Sequence, residues 1–192
     1  MSDMHQMDKR RSILTTALEE LQAQDNGDDV LIHEVPFDAY LHLRGLEPVA
    51  ELNAALNSIL GVDLPTTPNT SVASGDVRVF WHRENKWMIA CPSANHFELF
   101  DNINNALKTM NSSVVDVSDN FTILRITGEK ARDSLRKGCT LDLHPREFPT
   151  GSFAWTNIAH ADVMLHYCED TDAGHPDYAL YVRTSFADYL VR

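Results

Sequence analysis

Val77-Arg-Val-Phe-Trp81 and Lys86-Trp-Met-Ile-Ala-Cys91 flank Arg83-Glu-Asn85, and the reading of this stretch decides the fold class. Two short runs rich in β-branched and aromatic residues, set about a polar turn, predict a β-hairpin, so antiparallel pairing is built into the middle of the chain. Before it, Pro65-Thr-Thr-Pro-Asn-Thr70 is a loop by composition. After it, the spacing predicts a helix over 93–108, with Ser93 as N-cap and Phe97, Leu99, Phe100, Ile103 and Leu107 facing inward. Further upstream, residues 30–35 and 40–44 are strand-like, and Pro48 opens a helix whose apolar face is Val49, Leu52, Leu56, Ile59 and Leu60. Gly61 is its natural stop. Residues 12–24 place Ile13, Leu14, Ala17, Leu18 and Leu21 at helical spacing, and Asp25-Asn-Gly-Asp-Asp29 ends that pattern.

The second half repeats the theme. Residues 113–117 and 121–127 are strands around Ser-Asp-Asn, and 129–137 is a short helix. Strands are expected again at 153–158, 163–167 and 178–183, with an acidic loop over 168–177 and a terminal helix from Ser185. Hairpins in place of steady βαβ alternation make the class α+β. A chain of 192 residues buries a sizeable core. The expected organisation is an N-terminal helix and tail over 1–29, then a domain over 30–192 made of two tightly packed parts, roughly 30–110 and 111–192.

Composition excludes several functions. Hydrophobic residues at 43% and charged residues at 23% are ordinary for a soluble globular protein, and no apolar run reaches the ~20 residues of a membrane span. A net charge of −12 repels phosphate backbones and acidic membrane surfaces, so neither nucleic acid nor membrane is expected as a partner. The nearest thing to a basic patch, Arg125, Lys130, Arg132, Arg136 and Lys137, is interrupted by Glu129 and Asp133 and reads as a solvated helix face. Cys91, Cys139 and Cys168 lack disulfide or zinc-cage spacing. The polar start Met1–Arg11, followed by no apolar leader segment, points to a cytoplasmic protein.

No dinucleotide fingerprint or P-loop occurs; Gly128-Glu-Lys130 is a turn and helix start. His160, His166 and Cys168 form the densest set of metal-ligand types, but three ligands do not close a zinc site, and histidines at strand edges beside a small thiol are the commoner arrangement. Trp81, Trp87, Phe97, Phe100 and Phe153 fall in patterns that favour core packing.

The most shaped segment is Lys137-Gly-Cys-Thr-Leu-Asp-Leu-His-Pro-Arg-Glu-Phe-Pro-Thr-Gly151. Gly138 and Gly151 allow positive φ, and Pro145 and Pro149 fix φ and withdraw donors. Asp142 and His144 resemble a general-base pair, and Ser134 or Cys139 a nucleophile, but no strained elbow presents one. His144 or Arg146 is expected to cap nearby carbonyls. No catalytic residue is assigned, and the loop is expected to present a partner interface through Cys139, Asp142, His144, Arg146 and Phe148.

From about residue 30 onward the chain resembles the gamma subunit family of heterotetrameric sarcosine oxidase. The resemblance is carried by Val35-Pro-Phe with Tyr40-Leu-His-Leu-Arg-Gly45, by Gly61-Val-Asp-Leu-Pro-Thr-Thr-Pro-Asn-Thr70, and by Val79-Phe-Trp with Lys86-Trp-Met-Ile89. The strongest segments are residues 138–151 and Leu180-Tyr-Val-Arg-Thr-Ser-Phe-Ala-Asp-Tyr189. The resemblance implies a compact fold like the folate-binding aminomethyltransferase domain, with ferredoxin-like parts, most clearly over residues 114–137. It implies a structural subunit that holds no cofactor and grips an alpha subunit, in a complex whose partners include beta and delta subunits and carry FAD, FMN, NAD and zinc. Such a complex demethylates sarcosine oxidatively to glycine and passes the one-carbon unit to tetrahydrofolate. The corresponding subunit of N-methylglutamate dehydrogenase and a stand-alone folate-binding protein are the alternatives. The 168–177 loop is longer than the family's usual turn, and the N-terminal helix is not a shared signature.

Overall fold

The computed structural model describes residues 12–24, 29–35 and 38–192. The expected turn at Asp25–Asp29 lies almost wholly outside the described residues. The chain divides into two compact units. One comprises Asp38–Ser118 with Gly151–Ala154; the other comprises Asp119–Thr150, Trp155–Arg192 and Met1–Phe37, of which residues 12–24 and 29–35 are described.

The first unit is an antiparallel sheet covered on one face by two helices. The sheet consists of β2 (Ala39–Gly45), β3 (Ser71–Ser74), β4 (Val77–Arg83), β5 (Lys86–Cys91) and β6 (Ser112–Asp116) in the order β3-β4-β5-β2-β6. The predicted hairpin is β4 and β5, closed by Asn85 at positive φ of 58°. The first helix of the unit, α2 (Val49–Leu60), starts behind Pro48 and buries Leu52, Leu56 and Leu60, each worth about 2 kcal/mol of apolar burial. Gly61 ends it at φ 73°, its N–H on the Asn57 carbonyl at 2.7 Å. These leucines meet Leu41 and Leu43 of β2 and Trp87 and Ile89 of β5 in one cluster. Trp87 Nε1 donates to the Pro65 carbonyl at 2.8 Å, which ties the predicted loop to the core.

Two expectations in this unit are corrected. The 93–108 segment begins as a single tight turn, Ser93–Asn95, and the α-helix proper is α3 (His96–Ala106), so Ser93 caps nothing and Asn95 stands at the N-cap without a side-chain bond. His96 shares the buried face of the helix, and Phe97 is 52% exposed. Leu99, Ile103 and Leu107 face the core as expected. The strand β3 follows the expected 65–70 loop in a stretch to which the sequence reading assigns no element, because Ser71-Val-Ala-Ser74 is too short and too small to carry a signal and is held by its pairing with β4.

The second unit is the antiparallel sheet β1-β7-β10-β9-β8, made of β1 (Leu31–Val35), β7 (Phe121–Thr127), β8 (Phe153–Ile158), β9 (Ala161–Tyr167) and β10 (Asp177–Arg183). Its helices are α1 (Thr15–Gln24), α4 (Ala131–Arg136) and α5 (Thr184–Val191). In α1, Ala17 is buried and Leu14 is buried just ahead of it, but Ile13 is 51% exposed, because residues 12–14 precede the first helical turn. The strands on either side of Ser-Asp-Asn do not pair with each other: β6 pairs with β2, and β7 lies between β1 and β10. The basic patch is a solvated face only in part: Lys130, Arg136 and Lys137 are exposed, while Arg132 and Arg125 are half-buried. Arg125 is on β7 and makes a paired contact with buried Asp177, donating from Nε at 2.9 Å and also from Nη2. No helix among the described residues is long and apolar enough to cross a membrane.

Gly128, at the exit from β7, has φ 123°, and a Cβ there would meet the Asp29 carbonyl oxygen at 2.3 Å. Neither atom is the end of a flexible side chain, so Gly128→Ala is expected to lower stability by more than about 2 kcal/mol in urea unfolding, whereas Gly151→Ala, with open space around it, lowers it less. A bulge at His82 sets its ring against His42, centroids 5.8 Å apart. Burial, with the His42 charge adding to it, pushes the His82 imidazole down to about 4 from 6.5. Between those values the unfolded chain takes up a proton that the folded chain refuses, so stability falls as pH drops below 6.5. His82→Gln is expected to flatten that part of a plot of unfolding free energy against pH; an unchanged slope refutes the assignment.

Candidate functional site

Loop 137–151 has no regular structure, yet it is anchored. Leu143 and Phe148 are buried at 0% and 6%, and Cys139 forms an isolated bridge to Ile158 of β8. Of the expected interface residues, Asp142, His144 and Arg146 are exposed, Cys139 is half-buried with Sγ 3.9 Å from Thr156 Oγ1, and Phe148 is inside. Phe148 is therefore a support and not a contact, for the reason that makes any large apolar ring in a polar loop informative: it has somewhere to go. Gly151 takes positive φ, at 84°, and Gly138 does not.

Asp142 and His144 face their own backbone. The His144 N–H donates to Asp142 Oδ1 at 2.9 Å, and the Arg146 N–H donates to His144 Nδ1 at 3.2 Å. The N–H groups of Glu147 and Phe148 both reach the His144 carbonyl at 2.9 Å. The side chains thus satisfy amides, where capping of carbonyls was expected. A pair of acceptors occupied by local N–H groups is not poised as a general base.

His166 and Cys168 come together, Sγ 3.3 Å from Nδ1, but His160 sits in the Ala159-His160 turn at the other end of β9, both residues at positive φ. No group of three or more His, Cys, Asp or Glu is arranged to hold a metal among the described residues. Cys91 is buried, and burial, with Asp38 and Asp116 adding to it, pushes its thiol up to about 11, so it is an unreactive thiol.

The feature that the residue reading missed is a cleft of ≈ 510 Å³ where loop 137–151 and the acidic 168–177 loop face each other. Pro145 and Pro149 come from one loop, and Asp170, His175 and Pro176 from the other. The acidic loop is held by its own bonds: Cys168 N–H to the Asp177 carbonyl at 2.9 Å, Thr171 N–H to the His175 carbonyl at 2.9 Å, and Gly174 N–H to the Thr171 carbonyl at 2.7 Å. Arg132 and Tyr167 also line the cleft. Arg132 donates from Nε to the Tyr178 hydroxyl and from Nη2 to the Tyr167 hydroxyl, both at 2.9 Å, with its guanidinium 5.3 Å from the Tyr167 ring centre. The Tyr167 and Tyr178 rings stack at 4.7 Å. Tyr167 in turn donates to Asp170 Oδ1 at 2.7 Å. Burial raises both phenols, and the Asp170 acceptor raises Tyr167 further, so each is a neutral hydroxyl. Nothing in the spacing of Arg132, Tyr167 and Tyr178 announces this cluster; only the strand register assembles it.

Residues 44–192 match the model of the sarcosine oxidase, gamma subunit family. The chain is 32% identical over 165 residues to the sarcosine oxidase subunit gamma of Corynebacterium sp. strain U-96, covering 84% of this chain and 76% of that protein. It is 28% identical over 185 residues to the one of Corynebacterium sp. strain P-1, covering 95% and 86%. Among solved structures it is similar to a chain of the heterotetrameric sarcosine oxidase from Corynebacterium sp. U-96, in complex with pyrrole 2-carboxylate, at a TM-score of 0.81 and 28% identity over 95% of this chain and 91% of that one. The fold alone is shared with aminomethyltransferase T of the glycine cleavage system from Bartonella henselae, at a TM-score of 0.64 and 14% identity over 91% of this chain and 47% of that one. With the family model spanning both compact units, the chain belongs to the sarcosine oxidase gamma subunit family.

Proposed function

We propose that this chain is the gamma subunit of a heterotetrameric sarcosine oxidase, and that its task is structural: it binds a large flavin-bearing alpha subunit directly and reaches the beta and delta subunits through the complex. The observation that carries the reading is the likeness, over 95% of the chain, to one chain of a solved heterotetrameric sarcosine oxidase. The side chains agree with a non-catalytic role. The densest candidate groups among the described residues, Asp142 with His144 and His166 with Cys168, are engaged with backbone or with each other. The reaction of the assembly, oxidative demethylation of sarcosine to glycine with transfer of the one-carbon unit to tetrahydrofolate, then belongs to partner subunits.

Tagged protein isolated gently from its native cell is expected to retain a yellow flavoprotein with sarcosine-dependent oxygen uptake. Recovery of the chain alone sinks the proposal, and activity on N-methylglutamate in place of sarcosine reassigns the complex. Within the assembly, the exposed tip of loop 137–151 is the proposed contact. His144→Ala with Arg146→Ala is expected to weaken retention of the partner at least tenfold, with thermal stability changed little. Phe148→Ala is expected to do the reverse first, costing about 3–5 kcal/mol of stability because it empties a buried site. Unchanged retention in the double variant removes the loop from the interface.

A further inference from the structure

The cleft between the two loops contains a guanidinium that is positioned and unneutralised. Four of the five N–H donors of an arginine form two bidentate edges, the Nε/Nη2 edge and the Nη1/Nη2 edge. In Arg132 the first edge is filled by the Tyr178 and Tyr167 hydroxyls. The second edge has no acceptor, and Arg132 has no ion-pair partner, among the described residues. The same unit shows what a half-buried arginine receives when it serves the fold alone: Arg125 has Asp177 on its Nε/Nη2 edge. Arg132 has instead two neutral phenols; of the two carboxylates that line the cleft, Asp170 accepts from the Tyr167 hydroxyl and Glu129 forms no ion pair with Arg132.

Three features make this an aimed group. Stacking on Tyr167 and the two hydroxyl contacts fix the guanidinium plane, so little side-chain entropy remains to be lost on binding. The walls carry Pro145, Pro149 and Pro176, residues whose φ is already fixed. The volume, ≈ 510 Å³, lies in the range of small-ligand sites. In a chain of net charge −12, leaving such a cation without a carboxylate is not for want of acidic residues.

We infer that the cleft is a binding site for one carboxylate group, taken in bidentate fashion on the Nη1/Nη2 edge of Arg132. The carboxylate belongs either to a small free acid or to an Asp, Glu or chain terminus of a partner subunit; the chemistry is the same. The inference stands on the cleft and does not depend on the assembly reading.

The full-length chain is titrated with sodium acetate against sodium chloride at constant ionic strength, with heat and the side-chain N–H resonances of Arg132 as readouts. Saturable binding near 1 mM that moves the Arg132 resonances is expected, weakened at least tenfold in Arg132→Lys, which keeps the charge but loses the fork, and unchanged in Arg136→Lys on the exposed side of the same helix. That result assigns a small-acid site. A chain that ignores acetate, but whose Arg132→Lys variant leaves the purified complex at least tenfold faster than Arg136→Lys, assigns the carboxylate to a partner. Should Arg132→Lys not fold, the wild-type resonances decide the first arm alone. Absence of both responses overturns the inference, whether or not the chain is found in an oxidase.

Discussion

The register between β7 and β10 is the constraint on which the second unit depends. Seven residues of each strand pair antiparallel, from Thr127 opposite Asp177 to Phe121 opposite Arg183. β9 then lies on the other side of β10, with Tyr167 opposite Tyr178. Everything of chemical interest leaves from one end of this ladder. β7 exits through Gly128 into α4 and so delivers Arg132, and β9 enters β10 through the acidic loop that supplies Asp170 and His175. A slip of one residue would put alternate side chains on the wrong face, separating the two tyrosines and removing Asp177 from Arg125. The ladder therefore sets the site as well as the fold.

Charge is distributed along that end of the sheet with evident difference between neighbours. Burying Arg125 is compensated by Asp177 in a two-point contact, and removal of one partner from such a pair characteristically costs about 3–5 kcal/mol. Arg132 gains its positioning from hydroxyls, which orient a guanidinium but leave its charge standing. On Arg132 burial alone acts to weaken the charged form, and the hydrogen bonds to Tyr178 and Tyr167 outweigh it, so the cation is held. The arrangement favours orientation over neutralisation, which is what recognition of an incoming anion requires.

How much was legible in the sequence follows from the range of each signal. The hairpin about Arg83-Glu-Asn85, the Leu52, Leu56 and Leu60 stripe and the Gly61 stop are encoded within a dozen neighbouring residues, and each was readable. Phe97 lies two residues before Leu99, about 200° round the helix from the Leu99, Ile103 and Leu107 stripe, so an apolar ring there reads as core while the helix turns it to solvent. The strands on either side of Ser-Asp-Asn are legible in the sequence, but not their partners, β2 for one and β1 and β10 for the other. Arg132, with Tyr167 and Tyr178 35 and 46 residues away in sequence, had no local mark at all. Family resemblance supplied what local chemistry did not, because residues 138–151 are distinctive in sequence while Asp142 and His144 bond to their own backbone.

That last point explains how an irregular segment can serve recognition. A free loop of this length would lose about 1–2 kcal/mol per residue of backbone entropy on docking, enough to cancel most of what a small contact returns. Here the ordering is completed during folding: Leu143 and Phe148 are buried, the Asp142 and His144 side chains hold the turn by accepting from their own backbone, and two prolines hold φ. What remains at the tip is Arg146 and the outer edge of His144, on a backbone already in place. The residues that invited a catalytic reading thus act on the shape of the loop, and a partner bound at its tip, as proposed, would be met at little further entropic cost.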